Sequence, residues 1–300
     1  MALKVLIPEA GGDLGVGARK MAMELRVPVD LLLLEADVSK VQGLGHPFAE
    51  IPIISTNKEE ATQSLLDLLG DPALTGGKIL PTGEFFPEIL YGPRISEALK
   101  KYRVETFIPP KKGWEISRDK LLLGEFSWAV PTSEEWSLDR PYGKPRDGVG
   151  ARGCGLIKTR EEANSLGEGY IFTEYLPGND WVVDLLRVGG ECYALTREVF
   201  RQRSGADTNF VYRSRPDLES TALRVAVDLG APVVNVQFRE SFSGKPCVID
   251  VGTRLSGASC AARLVGVNWV GGLLGDPDWW SPRKDWEGKR VVRFWEENLV

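Results

Sequence analysis

The chain of 300 residues is poor in the groups that carry most hydrolytic and redox chemistry, with one histidine, His46, and four cysteines. A Ser-His-Asp or Cys-His mechanism would have to run through His46, which precedes Pro47 in a turn-like context without a nucleophile motif nearby. Cys154, Cys192, Cys247 and Cys260 are widely spaced with no CxxC pair, so neither a zinc site nor a disulfide framework is expected. They read as reduced, mostly buried thiols of a cytoplasmic protein. No apolar run approaches the roughly 20 residues that cross a bilayer, and the opening MALKVLIPEAGG turns polar too soon for a signal peptide. Excess positive charge is missing too. A formal net charge of −5 disfavours nucleic acid and leaves only local clusters, such as Arg197, Arg201 and Arg203, as anion sites. Internal repeats and low-complexity tracts are also lacking.

What is present is ordinary for a soluble enzyme: 43% hydrophobic and 26% charged residues, on a chain long enough for two or three packed lobes. The first part alternates strand and helix. Leu3 to Pro8 predicts a strand, and Gly11, Gly12, Gly15 and Gly17 a tight turn into a helix carrying Met21, Met23 and Leu25. The order GGxxGxG is not the dinucleotide fingerprint GxGxxG. Further strands are expected at Pro28 to Leu34, Gly77 to Leu80 and Val104 to Ile108, with helices at Lys58 to Leu69 and Glu88 to Tyr102. Residues 1–112 thus read as an α/β domain, a parallel sheet with helices on both faces. The crevice at its strand C-termini makes Glu9, Gly11, Thr82 and Glu84 candidate substrate contacts.

Lys111 to Trp114 reads as a linker, and Ser117 as the N-cap of a short helix with Asp119 in its first turn. From Trp128 to Arg160 the texture turns to proline and glycine. The segment Tyr142 to Gly155, YGKPRDGVGARGCG, holds Lys144, Arg146 and Arg152. Such a loop either lays backbone N–H groups and positive charge along phosphates or is a disordered surface hairpin; it lacks the GKS or GKT of a Walker-type loop. Beyond it, Tyr170 to Leu176 and Trp181 to Val188 flank the turn Pro177 to Asp180 and predict a hairpin, extended through Gly189-Gly190 into Glu191 to Phe200. Pro216 to Leu229 predicts an amphipathic helix with Leu218, Leu223 and Val227 inward. Ala258 to Leu274 predicts an apolar helix, and Arg290 to Trp295 a last edge strand. Trp279, Trp280 and Trp286 read as packing.

The stretch Asn235 to Gly257, NVQFRESFSGKPCVIDVGTRLSG, reads as an antiparallel hairpin turning at Ser241 to Gly244. Val234, Val236 and Phe238 alternate with Asn235, Gln237 and Arg239, so one face is polar. That face is either simply solvated or a site. Asp250 and Gln237 offer hard oxygens to a cation such as Mg²⁺, and Arg254 a planar fork to a phosphate.

The pieces in order, an α/β domain, Asp119-Lys120 before a helix, KPRDGVGARG, FTEYLPGNDWVVDLL, RQRSG, NVQF and VIDVGTRLSG, resemble the ATP-grasp superfamily, in particular the carbamoyl-phosphate-synthase-like carboxylate–amine ligases. The resemblance implies a combined α/β and α+β fold: a parallel-sheet pre-ATP-grasp domain (1–112), a shortened first nucleotide lobe with the glycine-rich loop (113–169) and a second lobe with the metal and phosphate site (170–300). It implies ATP and Mg²⁺, with Mn²⁺ able to stand in, small carboxylate and amine substrates, an acyl-phosphate intermediate and a homodimer as one assembly. No nucleic acid or membrane partner is implied.

Lys120 and Lys144 match the lysines that reach the phosphates, and the loop holding Arg152 and Gly153 the lid over them. Glu174, Tyr175 and Leu176 match the adenine hinge, and Asp180 the acid that takes the ribose hydroxyls. Gln237 and Asp250 match the metal ligands. Arg254, Lys144 and Arg203 match the groups that act on the transferred phosphoryl group, and Arg239, Ser256 and Gly257 are expected to contact substrate. The chain departs from the family where an acid, a hydrophobe and Asn-Pro-Arg are usual and it has Asp250-Val251-Gly252-Thr253-Arg254. Gly252 supplies no oxygen, so a nucleotide-binding protein without ligase activity, a sensor or subunit, is the alternative reading.

Overall fold

The computed structural model describes residues 5–7, 29–31, 33–34, 53–83, 85–147, 152–203 and 206–293. They form two compact units: the described part of 1–108 with Arg254–Arg283, and Pro109–Thr253 with Lys284–Arg293. The loop with His46, the glycine turn at 11–17, the Met21–Leu25 helix, Glu9, Glu84 and the end of the last expected strand lie outside the described residues. Among the described residues no helix is long and apolar enough to cross a membrane.

In the first unit the strands β1 (Val5–Ile7), β2 (Val29–Leu31), β5 (Lys78–Ile79) and β6 (Glu105–Thr106) make a parallel sheet in the order β2-β1-β5-β6. β3 (Leu33–Leu34) and β4 (Ile53–Ile54) pair in parallel beside it in sequence. The helix α1 (Lys58–Leu69) forms as its sequence predicts. Asn57 caps it by accepting from the N–H groups of Glu59 and Glu60, and Ala61, Leu65 and Leu69 recur every fourth residue on its buried face. They join Leu6, Ile79 and Phe86 in one core. The single helix expected over Glu88 to Tyr102 is two, α2 (Phe85–Leu90) and α3 (Pro93–Tyr102). Pro93 starts the second helix and forces Gly92 before it into extended backbone, φ −61° and ψ 139°.

The helix expected over Ala258 to Leu274 also breaks, into a 3₁₀ turn at Ser259–Val265 and a helix at Trp269–Leu274. Gly266 between them has φ +89°, and a Cβ there would meet the Ser281 carbonyl oxygen at 2.2 Å, so only glycine ends the turn in this way. Trp269, Trp279 and Trp280 pack on one another in the same unit.

The second unit opens with a helix at Lys111–Arg118 where a linker was expected. Ser117 lies buried inside it, donating to the Trp114 carbonyl, and the N-cap of the next helix, Lys120–Leu123, is Asp119. β7 (Tyr142–Pro145), β8 (Gly155–Leu156) and β9 (Tyr170–Thr173) form a three-stranded antiparallel sheet in the order β8-β7-β9. A six-stranded antiparallel sheet runs β14-β13-β10-β11-β12-β15. Its strands are β10 (Asp180–Val188), β11 (Glu191–Arg203), β12 (Ala206–Tyr212), β13 (Val233–Glu240), β14 (Pro246–Gly252) and β15 (Arg290–Val292). The hairpin expected between 170–176 and 181–188 does not form. A strand has two edges, and those of β10 are taken by β11 and β13, so β9 pairs with β7 instead. The β10–β11 and β13–β14 hairpins form as expected; β12 was not foreseen.

The helix Pro216–Asp228 lies against one face of this sheet, its Leu218, Ala222, Val225 and Ala226 packed on Trp181, Val183, Val234, Val236 and Phe238. Leu223 is only partly buried and Val227 is 55% exposed, because Val225 and Ala226 hold the inward positions. None of the four free cysteines is buried. Burial of thiols was expected from residue type alone, and these lie on strands, turns and loops near the surface.

Candidate functional site

The sheet face opposite that helix carries the polar half of the alternation. In the β13–β14 ladder Gln237 stands opposite Asp250 and Asn235 opposite Gly252. Past Gln237 the register slips, so Phe238 pairs with Val248 and Ile249 is left as an extra residue. The bulge lets both Val248 and Val251 enter the apolar core, three residues apart, while Asp250 stays on the polar face. It also frees the Ile249 carbonyl, which accepts a hydrogen bond from Lys144 Nζ at 3.0 Å.

Gln237, Arg239, Ile249 and Asp250 line a pocket contained in this unit. Opposite them Tyr142 and Lys144, two residues apart on β7, share its wall, joined by Lys120, Arg152 and Cys154. Lys144 is 7% exposed. Burial pushes its pKa down to about 8, with Lys120 adding to the fall and Asp250 opposing it. Lys120 Nζ lies 3.9 Å from Asp250 Oδ1. Its helix is held at its start by Asp119, which accepts from the N–H groups of Leu121 and Leu122. Arg146 closes on Asp119 with two bonds of 2.8 and 2.6 Å and on Glu134 with one of 3.0 Å. Burial alone would raise the Asp119 carboxyl, but the hydrogen bonds from Arg146, Leu122 and Leu121 outweigh it and hold it below the usual range. Arg146 therefore braces the Lys120 helix, and of the three loop cations only Lys144 and Arg152 line the pocket.

Glu174, Tyr175 and Leu176 line another side, where the chain leaves β9, and Asp180 follows at the start of β10. Asp180 is gripped by Arg239, whose Nε and Nη2 each donate to one carboxylate oxygen at 2.6 Å. Tyr142, Tyr175 and Phe242 follow one another with ring centroids 6.2 and 6.4 Å apart.

The structure thus gathers Lys120, Lys144, Arg152, Glu174, Tyr175, Leu176, Asp180, Gln237, Arg239 and Asp250 in one pocket. Gly153 is a turn residue with φ +73°, where a Cβ would lie 2.6 Å from the Tyr170 hydroxyl. Arg203 ends β11 opposite Ala206, and its side chain is outside the description. Arg254, Ser256 and Gly257 belong to the other unit, where Arg254 Nη1 donates to the Leu255 carbonyl. Arg197 is no anion site. It is 1% exposed and bridges Asp184 and Asp207, with Nε 2.7 Å from Asp207 Oδ2. Burial opposes its charge, but the two carboxylates raise its pKa further above the ordinary arginine value.

Thr173, Cys154, Tyr142, Gln202 and Ile249 line the pocket without having been singled out in the sequence. The Tyr142 and Lys144 alternation was the available signal; the bulge that brings in Ile249 had none. As a metal centre, the described residues contain no group of three or more His, Cys, Asp or Glu side chains placed to hold an ion. Asp250 and Gln237 do offer the hard oxygens a divalent cation prefers, with phosphate and water left to complete its shell.

Residues 168–276 match a sequence family described as ATP-grasp in the biosynthetic pathway with Ter operon. No curated protein sequence matches the chain. Among solved structures, a biotin carboxylase complex with β-γ-ATP from Campylobacter jejuni is similar at TM-score 0.69 and 16% identity, over 96% of this chain and 74% of that one. The biotin carboxylase domain of the Hydrogenobacter thermophilus 2-oxoglutarate carboxylase, in complex with MgADP, ADP and bicarbonate, is similar at 0.70 and 17%, over 97% and 73%. An L-amino acid ligase from Bacillus licheniformis is similar at 0.64 and 15%, over 93% and 74%. Residues 168–276 thus match an ATP-grasp family, and nearly the whole chain shares its fold with these carboxylase and ligase structures.

Proposed function

We propose that the chain is an ATP- and Mg²⁺-dependent ligase that joins a small carboxylate, of amino-acid type, to an amine. The observation that carries this reading is the convergence of Lys120 and buried Lys144 on the cross-strand pair Gln237 and Asp250 in one pocket. Its likeness in fold to an L-amino acid ligase and to a carboxylase domain holding MgADP is consistent with it. In this reading 113–169 is a reduced first nucleotide lobe and 170–300 the second, and two copies of the chain form a homodimer.

The hinge Glu174 to Leu176 receives the base, and Asp180 the ribose. Lys120, Lys144 and Arg152 lie along the phosphates, where an ammonium or guanidinium neutralises charge without moving a proton. Gln237 and Asp250 would hold Mg²⁺, or Mn²⁺ by the same oxygen preference, and the bound ion supplies charge neutralisation on the transferring phosphoryl group. The substrate carboxylate oxygen forms a bond to the γ-phosphorus as the bond to ADP breaks. The amine nitrogen then attacks the acyl carbon, phosphate leaves and the nitrogen loses a proton. Positioning and charge dominate such chemistry, so a chain with a single histidine can perform it. Arg203 and Arg254 are the proposed cations on the phosphoryl group, and Ser256 and Gly257 proposed substrate contacts.

A second reading, nucleotide binding without ligation, is favoured by Gly252. Nothing steric requires glycine there, since an added Cβ would sit 3.8 Å from Asn235 Cβ in ordinary contact. A side chain would fit at this position, and the chain has none. Mixing the protein with Mg·ATP and pooled amino acids separates the two. ADP release is expected, abolished in Lys144→Ala and Asp250→Ala with melting temperatures near that of the parent protein. Nucleotide binding without ADP release would establish the second reading, and collapse of the fold in both variants would remove these residues from the site.

A further inference from the structure

We infer that Arg239 is a positioning residue that locks the Asp180 carboxylate to receive the two ribose hydroxyls of a bound nucleotide, so that ribose selectivity belongs to the pair. The inference rests on the pocket being a nucleotide site. Asp180 and Arg239 are direct partners in the β10–β13 register, and both line the pocket. The guanidinium meets the carboxylate side-on through Nε and Nη2, both at 2.6 Å. This fork engages one lone pair on each carboxylate oxygen and leaves another on each, so the locked group still presents two acceptors to a vicinal diol.

The backbone below it is equally restrained. Gly178 N–H donates to the Glu240 carbonyl at 2.9 Å and Glu240 N–H to the Asn179 carbonyl at 3.1 Å, tying the chain before Asp180 to the end of β13. The approach is so close that a Cβ on Gly178 would lie 2.6 Å from Glu240 Cβ. Trp181 Nε1 donates to Glu240 Oε1 at 3.0 Å on the other side. With the backbone pinned, side-chain rotation is the freedom left to Asp180, and Arg239 removes it. A partly exposed ion pair adds little to stability, with the two side chains here 32% and 26% exposed. Its place in the pocket is better accounted for by pre-organising an acceptor, which spares the bound nucleotide the cost of ordering it.

The test is calorimetric titration of the full chain with Mg·ADP and with Mg·2′-deoxy-ADP. The parent protein is expected to prefer ADP by at least about tenfold, the scale of one hydrogen bond to a charged acceptor. Arg239→Met and Asp180→Asn should bring that ratio close to one, with ADP losing more affinity than 2′-deoxy-ADP, which keeps only its 3′-hydroxyl for the acceptor. Arg239→Lys keeps the charge but not the fork and should also lose the preference. A ratio preserved in Arg239→Met, or equal binding of the two nucleotides by the parent protein, overturns the inference while leaving the nucleotide site intact. Binding of neither nucleotide overturns the site and the inference together. Should Arg239→Met fail to fold, Arg239→Lys and Asp180→Asn decide the matter alone.

Discussion

Lys144 holds its charge near the edge of loss, because the burial that lets it face the pocket floor also strips its water. Its pKa near 8 in the folded chain lies below the ordinary lysine value of about 10.4. The folded state therefore gives up the proton first, and the lysine's contribution to stability rises as pH passes from about 8 towards 10. Nucleotide binding has the opposite sign, since an anion needs the protonated form. Affinity for Mg·ADP is expected to be flat below pH 8 and to fall above it by up to about tenfold per pH unit, with one proton taken up on binding. Lys144→Arg should flatten that profile, because a guanidinium does not titrate in this range; calorimetry in buffers of different ionisation enthalpy reads both effects. A different residue-scale test concerns Arg197, enclosed between Asp184 and Asp207 with Asn235 Nδ2 on Asp184 at 2.9 Å and Gln202 Nε2 on Asp207 at 3.0 Å. Arg197→Met leaves two carboxylates buried without their cation. The expected cost is about 3–5 kcal/mol in a denaturant melt, far more than for the partly exposed pair Arg239 and Asp180.

At the scale of elements, periodicity alone foretold the helices at Lys58–Leu69 and Pro216–Asp228 and the β13–β14 hairpin. Each has a long buried face with one repeat. Leu218 lies in the first turn of the second helix, fully buried against the sheet. Leu218→Ala is expected to lower unfolding free energy by about 2–5 kcal/mol, whereas Val227→Ala, at an exposed position, should stay within about 0.5 kcal/mol; thermal or urea unfolding of the two variants checks the contrast. Errors fell where one glycine or proline overrules a continuous pattern. Gly92-Pro93 splits one apolar helix signal, and Gly266 splits another. The short strand β7 went unread because its four residues, two of them glycine and proline, limit the alternation to the single repeat of Tyr142 and Lys144. Its strand geometry comes from its neighbours β8 and β9.

Across the whole molecule, the order of motifs anticipated an ATP-grasp fold, and ten of the residues singled out from it line one pocket. The sequence by itself determined the polar-apolar alternation of Asn235 to Phe238, the cations Lys120 and Lys144, and the single histidine. Tertiary structure alone decided the partner of β9. β9 lies beside β7 because the edges of β10 are filled from residues far along the chain. It also decided which charges are free to act. Arg146, Arg197 and Arg239 look alike in sequence, yet one braces a helix start, one is sealed between two carboxylates and one grips Asp180 in the pocket. A charge finds its counterion through space, and no local pattern of residues specifies a partner brought in by a sheet register or a bulge.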